Sequence, residues 1–221
     1  MDEVDGTGGW TLSVSEDPRP FALFVRDALR LETHDETTAP PPLDPPAPDH
    51  RELLTAADRA RVAEQWPAWC RATLAHEARS RGARAVRDWL EWHREQARVR
   101  EEVLGEPPDF AALSASPELQ RACTLLDREL HAWSRREPPR DAPLTRLKDL
   151  DCGDLAAEIA SRWDAELTQV HGVVLAYGVE GPWRRLAAPG VLLCSVVDLE
   201  TEPEAVVREV LESSVRPGCL T

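Results

Sequence analysis

The chain has 221 residues, 42% of them apolar and 30% charged, and a formal net charge of -14. That size and balance describe a globular protein able to bury a core, and exclude a disordered or fibrous chain. The acidity disfavours naked nucleic acid and anionic membranes as main partners.

The charge is unevenly spread. Residues 1–54 carry 4 basic against 12 acidic groups, residues 55–140 carry 15 against 14, and residues 141–221 carry 7 against 14. An Arg- and Trp-rich middle is thus flanked by acidic ends. The first residues, Met1 to Asp5, lack the basic start of a secretory signal. The longest uncharged apolar stretches, near 173–179 and 190–197, are far below the roughly 20 residues of a membrane helix. Five cysteines, odd in number and without a C-x-x-C pair, suit reduced, idle thiols. These signs together imply a cytoplasmic protein without a membrane partner.

In chain order, Trp10, Leu12 and Val14 alternate with polar residues, the period of a half-buried strand. Past Asp17 to Pro20, residues Phe21, Phe24, Val25, Ala28 and Leu29 fall on one helical face. Residues 1–32 therefore read as a structured arm, whose Phe21, Phe24, Val25 and Leu29 are candidates for binding a partner or for self-association. The prolines at 40–42, 45, 46 and 48 make 33–49 a semi-rigid linker in polyproline II, with two overlapping P-x-x-P spacings that a peptide-binding groove could also read.

A helical body follows over 50–140. Thr55 and Asp58 cap a helix that Pro67 should break or kink near Trp66. A second helix runs to about Ser80, and a third runs from Ala83 to a stop at Gly105. Ser116 and Pro117 open another, whose Leu119, Cys123, Leu126, Leu130 and Trp133 form a buried seam. Residues 141–221 hold a helix marked by Leu155, Ile159, Trp163 and Leu167, then apolar runs over 173–179 and 191–197 that read as buried antiparallel strands, and a last helix opened by Thr201 and Glu204 as a capping box. The expected fold is α+β and mostly helical: a central helical bundle with a small antiparallel sheet near the C-terminus, which the Trp10 strand could join. Residues 141–221 are expected to pack with 50–140 as one domain.

Three features could carry chemistry. Trp66/Trp69 and Trp89/Trp92, each at i,i+3, could line an apolar pocket with Arg84, Arg87 or Arg94 holding an anionic group, although helix packing accounts for the same tryptophans. Seven arginines between Arg79 and Arg100 could bind nucleic acid, but Asp88, Glu91 and Glu95 lie at ion-pairing distance along the helix and leave a local excess of only +4. Asp127 and His131 at i,i+4 could share a metal, yet the bundle motif Glu-x-x-His is absent and so is H-E-x-x-H. Cys152 opens a helix, but Asp149, Asp151 and Asp154 oppose a thiolate. No nucleophile elbow or phosphate loop is present, and no metal or cofactor is expected. The reading that follows is a non-catalytic interaction protein (adaptor, inhibitor or assembly subunit) with a partner of basic character. A small-molecule binder or enzyme built on the Trp/Arg pocket stands second, and nucleic-acid binding through Arg79 to Arg100 third.

Overall fold

The computed structural model describes residues 2–5, 9–16, 20–33, 39–82, 94, 97–99, 101–102, 105, 107–136, 147 and 149–216. The chain divides into two compact units, residues 1–18 with 139–221 and residues 19–138. The fold is α+β and mostly helical, with one small sheet. Among the described residues no helix is long and apolar enough to cross a membrane.

The first unit is a sheet with helices. Strands β1 (Asp2–Asp5), β2 (Thr11–Glu16), β3 (His171–Tyr177), β4 (Arg184–Ala188) and β5 (Val191–Ser195) lie in the order β1-β2-β3-β5-β4. The sheet is mixed rather than antiparallel: β2 runs parallel to β3, and β3 parallel to β5, while β1 and β4 close the edges antiparallel. The Trp10 strand does join, setting Leu12 opposite Gly172 and Val14 opposite Val174. The physical reason for the parallel centre is visible in β3 and β5, which are buried along nearly their whole length. Strands buried on both faces read as continuous apolar runs, the habit of parallel sheets.

Leu12, Val14, Val174, Ala176, Leu192 and Cys194 face the apolar sides of helices α4 (Cys152–Arg162) and α6 (Pro203–Val215). Asp151 caps α4 by accepting from the Asp154 amide at 3.0 Å. Beyond β5 the run expected as strand to Val197 turns at Ser195, whose hydroxyl accepts from the Asp198 amide and opens the short helix α5 (Val196–Thr201). Thr201 lies in that helix and bonds the Val197 carbonyl, so the expected capping box with Glu204 does not form; α6 opens instead with Pro203 in its first turn. Two serines tie α6 to the sheet. The Gly190 amide donates to Ser213 Oγ at 2.9 Å and the His171 amide to Ser214 Oγ at 3.2 Å, while both hydroxyls donate back to carbonyls of α6.

The second unit is helical: α1 (Phe21–Ala28), α2 (Ala56–Gly82) and α3 (Pro117–Arg136). Helix α2 runs unbroken through Pro67, where a break or kink was expected. Proline costs roughly 3 kcal/mol inside a helix, and Val62, Trp66, Trp69, Cys70 and Leu74, buried on both sides of it, offset that loss. The seam of α3 is buried at Leu119, Cys123, Leu126 and Trp133, with Leu130 half-buried.

The segment expected as a spacer is packed instead. Leu43 and Ala47 are buried, and the His50 amide donates to the Ala28 carbonyl at 2.7 Å. Arg26 and Asp27, both buried and paired at 2.6 Å, form its anchor. Arg26 donates to the carbonyls of Pro40 and Pro41, and Asp27 accepts from the Leu43 amide at 2.7 Å. Proline-rich chain has many carbonyls and few amides, so a guanidinium fork and one carboxylate match its unpaired groups. Residues 1–32 are correspondingly not one arm: β1 and β2 belong to the sheet unit and α1 to the helical unit.

Candidate interaction face and the placement of the expected site residues

Phe24, Val25 and Leu29 are fully buried within the helical unit and Phe21 is half-buried. Phe21 stacks on Phe110 at 5.5 Å and meets Trp69 edge-on at 6.1 Å; Phe24 lies 5.3 Å from Trp133. The apolar face proposed for a partner is thus filled from within its own unit, in cis, because aromatic surface of this size finds its nearest apolar neighbours first.

Trp66 and Trp69 belong to the same core. The Trp66 indole donates to the Ala22 carbonyl at 2.7 Å, and the Arg26 guanidinium sits 5.6 Å over its ring. Both tryptophans are therefore spent on packing rather than on a pocket wall. Trp89, Trp92, Arg84 and Arg87 lie outside the described residues. Arg94 is exposed, and farther along the same stretch Arg98 pairs with Glu102 at 2.7 Å; Asp88, Glu91 and Glu95, expected as the neutralising acids, lie outside the described residues. An Arg-bearing cavity does occur among the described residues, but its arginines are Arg30, Arg51 and Arg59 and no tryptophan lines it.

Burial pushes the Cys70 and Cys194 thiols up to about 12, and raises those of Cys123 and Cys152 as well. At Cys152 the neighbouring Asp151 adds to the effect of burial. These thiols stay protonated and are poor nucleophiles. His131 lies 3.8 Å from Asp127, and His76 is buried, whereas His93 lies outside the described residues. Among the described residues no group of three or more His, Cys, Asp or Glu could hold a metal ion.

The most organised charged surface lies on the sheet unit, where α4, α6 and β4 present three arginines to five glutamates. Arg162 bonds Glu158 on its own helix and Glu212 on α6, the latter at 2.6 Å. Arg208 returns from α6 to Glu158 at 3.0 Å and also holds Glu204 at 3.2 Å. Arg184 reaches Glu202 at 3.1 Å and Glu209 at 3.4 Å. Each guanidinium is shared by two carboxylates, so the positive charge is used internally and the face stays net negative. The Arg208 hydrogen bonds hold the Glu158 carboxyl below its ordinary range. Over the whole sheet unit there are 8 basic against 19 acidic residues, and over the helical unit 18 against 21. The i,i+4 spacings Glu158/Arg162 and Glu204/Arg208 could have pointed to this lattice from the sequence; Arg184 and the link between helices could not. No family model, no curated protein and no solved structure matches this chain.

Proposed function

We propose that the protein is a non-catalytic interaction module that docks a basic partner protein on the acidic α4/α6 face of its sheet unit. The observation that carries this reading is the shared-arginine lattice: five glutamates surround three arginines, leaving excess negative charge on this face. Rigid, pre-positioned carboxylates lose little side-chain entropy on binding and set the orientation of a partner's cations. Charge of one sign over a whole unit also steers encounter with the opposite sign. The thiols of Cys70, Cys123, Cys152 and Cys194, raised by burial, are poor nucleophiles.

The test is to recover partners from the cells that make the protein, then rebuild the complex from purified components. Replacing Glu158, Glu204 and Glu212 together by Gln should weaken it by about tenfold or more, equal to about 1.4 kcal/mol. Raising the salt from about 0.05 M to 0.5 M should weaken it further, since surface charges are screened within a few ångströms there. A partner that binds the neutralised protein as tightly as the original, without salt dependence, removes the reading.

A further inference from the structure

Among the described residues the helical unit holds an open cleft of about 430 Å³, inside the range of roughly 300 to 1,000 Å³ typical of small-molecule sites. Its floor is the alanine row Ala56, Ala60 and Ala63 on α2, spaced so that all three share one helical face. Larger side chains there would fill the space.

Its cationic wall is fixed in place. Arg30 follows α1 in the left-handed region, at φ 51°, a conformation that non-glycine residues rarely adopt and that clusters at functional sites. Its amide bonds the Asp27 carbonyl at 3.2 Å and its guanidinium the Ala47 carbonyl at 3.3 Å. Arg59 donates through Nη1 to the carbonyls of Arg51 and Leu54, at 2.8 and 2.9 Å. Both guanidiniums are thus oriented by backbone carbonyls, with the Asp49 carboxylate within electrostatic reach of Arg30. Arg51 differs, since Asp49 takes it in paired bonds of 3.0 and 2.7 Å. The same cleft is lined by Glu32 and Glu64, both exposed. Among the described residues neither forms an ion pair with Arg30 or Arg59, although Glu64 lies within electrostatic reach of Arg61, so opposite charges share one cleft without pairing across it.

We infer that this cleft binds a small zwitterion of the amino-acid class, its carboxylate on Arg30 and Arg59, its ammonium on Glu32 and Glu64, and its carbon chain on the alanine floor. A dianion would meet the two glutamates and a dication the two arginines; only a molecule carrying both charges satisfies both walls. A guanidinium fork matches a carboxylate's two oxygens, and a carboxylate matches an ammonium.

The experiment is calorimetric titration of the full chain with β-alanine, 4-aminobutyrate, 6-aminohexanoate and a panel of α-amino acids, beside glutarate and 1,5-diaminopentane. One zwitterion should saturate the protein, with the dianion and the dication weaker by about tenfold or more. Arg59→Gln and Glu64→Gln should each cost the zwitterion about tenfold. Ala60→Leu, at an exposed position that leaves the fold intact by circular dichroism, should abolish binding by filling the floor. Absence of saturation by every zwitterion at millimolar concentration overturns the inference. So does glutarate or the diamine binding as tightly, or Ala60→Leu leaving the affinity unchanged.

Discussion

The two units bury their cores in different ways. Among the described residues the helical unit adds buried rings, Phe24, Trp66, Trp69, Phe110 and Trp133, with Phe21 half-buried against them, to the aliphatic residues of its core. The sheet unit buries two rings, Trp10 and Tyr177, and otherwise relies on aliphatic residues, Val14, Val174, Ala176, Leu192, Ile159 and Val210 among them, layered between strands and helices. Charge follows a different division again: the sheet unit carries -11 of the chain's -14, and the helical unit -3. A ring concentrates packing energy at single positions, whereas a layered aliphatic core spreads it. Polar anchoring differs in kind too. The helical unit uses a buried ion pair to hold a proline-rich strap, and the sheet unit uses neutral serine hydroxyls to hold α6.

If the concentrated core is real, the largest effect in the molecule belongs to Trp66. Trp66→Ala removes a fully buried ring and the bond to the Ala22 carbonyl, and should cost on the order of 3 to 5 kcal/mol in urea unfolding. A loss near that of an exposed residue, below about 0.5 kcal/mol, would dissolve the contrast between the units. Next is Asp27→Ala, which strands the buried Arg26 guanidinium and the Leu43 amide. Breaking a buried pair from one side costs about 3 kcal/mol or more. Faster proteolysis within residues 39–50 should accompany the loss, because the strap then has one anchor fewer.

In the sheet unit the weak point is a backbone position. Gly190 sits at φ 72°, and a Cβ there would lie 2.7 Å from Nε2 of His171 and 3.3 Å from the His171 carbonyl. Its own carbonyl accepts from the Val173 amide and its amide donates to Ser213, so it cannot move without opening the β3–β5 junction. Gly190→Ala should cost about 1 to 3 kcal/mol, the scale of forced left-handed strain. A neutral result would mean that the junction tolerates displacement.

What the sequence disclosed follows from the same contrast. Helix α1 and the α3 seam were legible because one-sided burial imposes a period on them, and the strand character of 173–177 and 191–195 because short apolar runs there are bounded by turn residues. Strand direction was not, since β4 lies between β3 and β5 in sequence but outside them in space. Antiparallel pairing of the two apolar runs was the local expectation, and the burial of both faces argues against it. The proline-rich strap was illegible for a different reason. Composition says that such a chain is stiff, but not that Leu43 and Ala47 find a core or that Arg26 and Asp27, some 15 residues earlier, supply its missing partners. The cleft is lined by residues 30–32 beyond α1 and by residues from 51 to 64. Its alanine spacing was readable in α2, while its arginines could be assigned only after the chain was folded.

The smallest effect concerns pH and isolates the helical unit's surface. The Glu118 carboxyl is held at about 2, from 4.5, first by a hydrogen bond from Arg61 and then by one from Gln65, whose own oxygen accepts from the Leu119 amide at 3.0 Å. A carboxyl whose folded value lies below its unfolded value stabilises the fold while ionised. Its contribution is complete above pH 4.5 and fades as the pH falls toward 2. Glu118 is half-buried but its partner Arg61 is exposed, so solvent and salt screen the pair and the effect should be modest. Urea unfolding of the wild type and Glu118→Gln across that window should show a stability gap that is constant near neutrality and closes with acid. The sheet unit's lattice gives an internal control: Glu158→Gln should follow the same direction, because the Arg208 hydrogen bond also lowers the Glu158 carboxyl. A gap at Glu118 that stays flat down to pH 2 would mean that the Arg61 contact orients the start of α3 without stabilising it, and would leave the buried Arg26–Asp27 anchor as the charge pair on which the helical unit depends.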